Sequence, residues 1–113
     1  MVNDAIAWLS SITSHPSPQP PIPNPQSPFF LWVHVFEPHA PYGDPSSQRP
    51  VLERYDEEIA TADREIGRLI DALGTARADT LIVAAGDHGE AFGEHGEYAH
   101  SIFVYDTTLR VPS

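Results

Sequence analysis

The chain has 113 residues, sixteen acidic against six basic, for a formal net charge of -10. That length suits one small domain and is too short for two. The charge argues against a nucleic-acid partner, which needs clustered Lys and Arg, and otherwise reads as a solubility feature. There is no cysteine, hence no disulfide framework and no thiol chemistry. No apolar run reaches the roughly 18 residues of a membrane span. The start, with Asp4 where a basic n-region would lie, does not read as a signal peptide.

In chain order, Val2, Ile6, Leu9 and Ile12 recur at helical spacing, so residues 1–12 are expected to form a helix. A connector over residues 13–28 follows; its stretch from His15 to Pro28 holds seven of the twelve prolines. Proline removes an amide donor and restricts the residue before it, so this stretch reads as an extended linker. Phe29 to Phe36 (FFLWVHVF) is a continuous apolar run broken by His34, as expected of a strand buried on both faces. Residues 37–50 carry Pro, Gly, Asp and Ser and read as a loop.

From Leu52 to Leu73 the pattern turns helical. Tyr55, Ile59, Ala62, Ile66, Leu69, Ile70 and Leu73 share one stripe, and Gly74 marks the stop. Thr80 to Ala85 (TLIVAA) is a second buried-strand candidate, and residues 86–100 are mostly loop. Strand, helix, strand is a βαβ unit with parallel strands and a right-handed crossover. The expected class is therefore α/β, with an added N-terminal helix. Two strands and loops leave sheet edges uncovered, which predicts poor solubility of the isolated chain.

Ligands of open α/β sheets bind beyond the carboxyl ends of the strands, and a right-handed βαβ unit puts both ends on one edge. His39, just past the first strand in EPHAPY, and Asp87 with His88, just past the second in GDHGE, should therefore converge. Asp87 and His88 offer a hard oxygen and an imidazole nitrogen to one divalent cation, with Gly86 and Gly89 allowing a sharp turn. An exposed turn capped by Asp87 is the plainer alternative. Pro38 and Pro41 bracket His39 and restrict its backbone. Histidine can donate a proton to a leaving oxygen or bind an anion when charged. His100, ahead of SIFVYD, is a second candidate for the substrate anion. Glu94 and Glu97 read as a solvated acidic loop, His34 as a hydrogen-bonded core histidine, and His15 as a surface residue.

These residues carry a resemblance. PFFLWVHVFEPHAPY, YDEEIATADREIGRLIDAL, DTLIVAAGDHGEAFGEHGEYAH and YDTTLRVP resemble successive blocks of the sulfatase family, of the alkaline-phosphatase-like superfamily. The resemblance runs from about Ala5 to the C-terminus and implies part of a three-layer α/β catalytic domain over residues 1–113. It implies metal-dependent hydrolysis of sulfate esters, with Asp87 and His88 as ligands of a divalent cation, usually calcium. His39 would contact the ester and assist the leaving group, and His100 would bind the sulfate.

One departure is equally plain. The family's nucleophile motif, Cys- or Ser-x-Pro-x-Arg, does not occur in this chain. The resemblance thus implies a fragment that is inactive alone and whose partner is the N-terminal half of the domain. Two alternatives stand beside sulfate-ester hydrolysis. One is a phosphodiesterase or phosphoethanolamine transferase of the same superfamily, with zinc or manganese. The other is a truncated fragment with no enzymatic role.

Overall fold

The computed structural model describes residues 1–13, 28–100 and 103–111. They form two compact units, Met1–Ala78 and Asp79–Ser113. The expected proline connector, with His15, lies outside the described residues but for its ends.

The first unit is built on two helices, α1 (Val2–Thr13) and α2 (Val51–Asp71). Helix α1 packs against α2 and buries Leu9 of its expected stripe together with Ala5, with Val2 and Ile6 half-buried and Ile12 exposed. Helix α2 starts after Pro50, whose carbonyl accepts the Arg54 amide. Arg49, just ahead of it, reaches Glu57 at 2.6 Å and Glu53 at 3.3 Å. Such exposed pairs add little stability, but here they orient the turn leading into the helix. The helix closes on Ala72, and Gly74 then takes φ +53, the left-handed conformation that suits a helix stop. Its apolar stripe is half-buried along most of its length, and no residue of α2 is fully buried.

The two expected strands do not form a βαβ unit among the described residues. There, the β-type pairing is a single antiparallel bridge between Phe92 and Tyr98. From Phe29 to Phe36 the chain is extended, but exposure alternates. Phe29, Leu31, Val33 and Val35 are half-buried, whereas Phe30, Trp32, His34 and Phe36 are exposed. That is the period of two of an extended chain covered on one side, instead of the expected burial on both faces. Phe29 meets Trp8 of α1 edge-on at 5.9 Å. His34 falls on the exposed face and is not a core residue. Leu81 to Ala85 are likewise exposed. A strand of this composition is buried only when neighbours cover it on both faces and both edges.

The second unit is a chain of turns. A 3-10 turn (Glu94–Gly96) sits at the tip of an antiparallel loop, closed by Gly93 N–H to Glu97 O at 3.0 Å and Ala99 N–H to Ala91 O at 2.9 Å. A single helical turn, α3 (Asp106–Leu109), buries Thr108, whose hydroxyl donates to Tyr105 O at 2.9 Å. Ala91 is the most buried residue of this unit.

Two predictions follow from these features. Phe30 and Trp32, 84% and 77% exposed on the same face, should drive self-association. Replacing both with lysine is expected to raise the soluble monomer several-fold in light scattering and leave the helical circular dichroism unchanged. The second concerns acid. Asp44 lies below its ordinary value of 3.8 because the Ser46 hydroxyl and amide donate to it. Glu94 lies below 4.5 because the Phe92 amide donates to it, followed by its own amide. A depressed carboxylate stabilises above its unfolded pKa, and that contribution disappears as pH falls through the lowered folded value. The Ser46 and Phe92 amide resonances should therefore hold steady down to the ordinary carboxylate range and move only below it.

Candidate functional site

The second unit brings Asp87, His88, Glu90 and His100 together. The His88 and His100 rings stack with centroids 3.7 Å apart at 29°. Asp87 Oδ1 accepts the His88 amide at 3.0 Å and lies 3.9 Å from His88 Nε2. The loop is anchored from behind, where Gly89 N–H donates to Thr108 O of α3 at 2.8 Å. A Cβ at Gly89 would stand 2.1 Å from the Thr107 carbonyl oxygen. Gly89 is thus needed for close approach of two backbones; the sequence suggested freedom to turn.

The histidine nitrogens are not equivalent. His88 Nδ1 is 2.8 Å from the Gly89 carbonyl oxygen, which only accepts, so Nδ1 carries the proton and Nε2 is the lone-pair nitrogen. A ligating histidine is commonly held in this way. His100 Nδ1 faces Glu90 Oε1 at 3.1 Å, and the Glu90 side chain is only 7% exposed. His100 is thereby turned with Nε2 away from that carboxylate.

In the first unit, His39 stacks on Phe36 at 4.3 Å, and its Nδ1 lies 2.7 Å from the Ala40 carbonyl. The flanking Glu37–Pro38 and Ala40–Pro41 bonds are both cis. Glu58 of α2 accepts from two amides of this loop, His39 N–H at 3.0 Å and Gly43 N–H at 2.6 Å. Arg54, one turn earlier, donates to the Tyr42 carbonyl at 2.8 Å, and the Tyr42 ring meets Tyr55 edge-on at 5.3 Å.

Neither Glu58 nor Glu90 stood out in the sequence. The one available signal for Glu58 is its place beside the apolar stripe, one turn after Tyr55 and one before Ala62. Glu94 and Glu97, expected to be solvated, accept amides of Phe92 at 2.6 Å and Phe103 at 3.2 Å. His95 stacks on Tyr105 at 4.4 Å and has φ +60.

Asp87 and His88 fit a shared cation as a pair. Metal–oxygen and metal–nitrogen bonds of about 2.0–2.6 Å allow one ion to span the 3.9 Å between their atoms. Among the described residues, no group of three or more His, Asp or Glu is arranged to hold a metal.

Residues 5–112 match the family model described as Sulfatase. The chain belongs to the sulfatase family. Membership implies an alkaline-phosphatase-like fold, of which this chain carries a part. Among curated relatives it is similar to iduronate 2-sulfatase of Mus musculus, 31% identical over 92% of this chain and 21% of the relative. It is also similar to phosphoethanolamine transferase EptA of Helicobacter pylori, 32% identical over 64% of this chain and 14% of the relative. The low-salt glycan biosynthesis sulfotransferase Agl7 of Haloferax volcanii is 33% identical over 77% of this chain and 26% of the relative. The sulfatase segment thus spans about a fifth of the length of the iduronate 2-sulfatases it matches. No solved structure matches it significantly. No helix among its described residues is long and apolar enough to cross a membrane.

The approach at Gly89 gives this site its test. Gly89→Ala is expected to detach the Asp87–His88 loop from α3, because the three nearest obstructing atoms all belong to the Thr107 and Arg110 backbone and cannot swing aside. Loss of the Gly89–Thr108 hydrogen bond should appear as rapid exchange of the residue-89 amide, with helix α2 unaffected.

Proposed function

We propose that this chain contributes part of the active site of a sulfatase-type hydrolase acting on sulfate esters. Asp87 and His88 would hold a divalent cation, with calcium the expected ion. When bound, such an ion offsets negative charge on the ester oxygens. His39 would contact the ester and, when protonated, donate from Nε2 to the departing oxygen. His100, when its ring is protonated on both nitrogens, would bind a non-bridging sulfate oxygen through Nε2–H while Nδ1–H stays on Glu90. The observation that best supports this reading is the His88–His100 stack, with one Nδ1 tied to a carbonyl and the other to a buried carboxylate. Both rings then have Nε2 left over for a ligand.

The chain contains no Cys- or Ser-x-Pro-x-Arg nucleophile, so a covalent route needs that group from another segment. Turnover by this chain alone is not expected.

A second reading has its own support in the similarity to a phosphoethanolamine transferase. There the cation would be zinc or manganese and the ester a phosphate.

One assay separates these readings. The chain is tested alone and joined to a sulfatase-family segment bearing the nucleophile motif, on an aryl sulfate, a 2-sulfated iduronate and an aryl phosphodiester. Sulfate-ester hydrolysis is expected only when the two are joined, abolished by chelation and by Asp87→Ala. His39→Ala should lower it about 10²–10⁴-fold, the usual contribution of a general acid. Turnover of the phosphodiester alone would select the phosphoryl reading. Unchanged sulfate hydrolysis in Asp87→Ala and His39→Ala would exclude both roles.

A further inference from the structure

We infer that Glu58 is the positioning residue for His39. Its two carboxylate oxygens bind two separate amides of the same loop, Oε2 the His39 N–H and Oε1 the Gly43 N–H. The inference rests on the reading of His39 as the group that faces the ester.

Pro38 and Pro41 restrict the loop over residues 37–43 but have no N–H to donate. Further anchors include the Tyr42 ring, buried against Tyr55, and the Tyr42 carbonyl, held by Arg54. Those act at the far end of the loop from His39. Glu58 acts on the His39 backbone itself and ties it to the Gly43 end through one rigid carboxylate. Residues 54, 55 and 58 are neighbours on one face of α2, so the helix presents all three anchors together. With the backbone fixed, the His39 ring has two further constraints, the Phe36 stack and the Nδ1–H bond to Ala40 O. The atom left to face a ligand is Nε2.

The chemistry of the clamp is specific to a carboxylate. Both amides donate, so both partners must accept. Glutamine keeps one accepting oxygen and turns an NH₂ toward the other amide. Aspartate has the same pair of oxygens but is a methylene shorter, so from residue 58 it falls short of the loop. A carboxylate at this position placed only for surface charge would show no such selectivity.

Amide hydrogen exchange on the full 113-residue chain tests this, with the amides of residues 62–70 reporting that α2 is intact. In the wild-type chain both the His39 and Gly43 amides are protected. Glu58→Gln should keep protection at one of the two and speed exchange at the other about ten- to hundredfold, the range for a lost charge-assisted bond. Glu58→Ala should release both and turn the His39 ring from a single Nδ1–H tautomer into a mixture, read from its ring ¹⁵N shifts. Glu57→Ala, which removes a partner of Arg49, should change neither. Unchanged exchange at both amides in Glu58→Ala, or a His39 ring that keeps its single tautomer there, overturns the inference. So would wild-type amides at residues 39 and 43 that exchange at unfolded rates. Failure of the underlying reading looks different: His39→Ala would then leave sulfate hydrolysis unchanged in the joined enzyme, and the exchange results would stand.

Discussion

The backbone of this chain depends on carboxylates where it lacks a ladder. A backbone amide outside a helix finds its acceptor in a sheet partner, a side chain or water. Along the described loops, acidic side chains take that place. Asp44 accepts from Ser46, Glu58 from His39 and Gly43, Asp87 from His88, Glu94 from Phe92 and Glu97 from Phe103. The excess of acid over base therefore has a structural use beyond solubility. Each charge-assisted bond ties down a turn that has no ladder to hold it.

This explains which parts of the fold were legible in sequence. The helices were, because their hydrogen bonds are local and their pattern is written at a spacing of three and four. Residues 1–12 and 52–73 compare with Val2–Thr13 and Val51–Asp71. The strands were legible as extended chain only. Whether FFLWVHVF is covered on one face or two depends on neighbours that the run itself does not encode. Alternating exposure from Phe29 to Phe36 is what the pattern leaves when one face is covered. The roles of Glu58 and Glu94 were hidden for a related reason. A side chain bonded to a distant or turned-back amide leaves no periodic trace, and its residue type is the same as that of a solvated glutamate.

The site divides along the same line. Asp87, His88 and His100 lie within a short stretch, brought together by the Ala91–Ala99 bond and by the Gly89 amide's bond to Thr108. His39 belongs to the other compact unit. The cluster around DHGE could be read locally, whereas the expected meeting of His39 with it rested on a βαβ sheet edge that the described residues do not form.

The same allocation of carboxylates limits what a cation could find here. The loop after residue 86 is rich in Asp and Glu, and a count alone would suggest a crowded metal site. Yet Glu90 is turned inward on His100, and Glu94 and Glu97 are committed to backbone amides. Asp87, its side chain 80% exposed, accepts the His88 amide through Oδ1, which lies 3.9 Å from His88 Nε2. A hard cation such as calcium takes six to eight oxygens, so Asp87 and His88 could anchor one only with donors from elsewhere. Of the loop's other acids, Glu90 holds His100, while Glu94 and Glu97 hold the Phe92 and Phe103 amides. The segment thus fixes its own turns locally, and a cation there would still need donors from another segment to complete its shell.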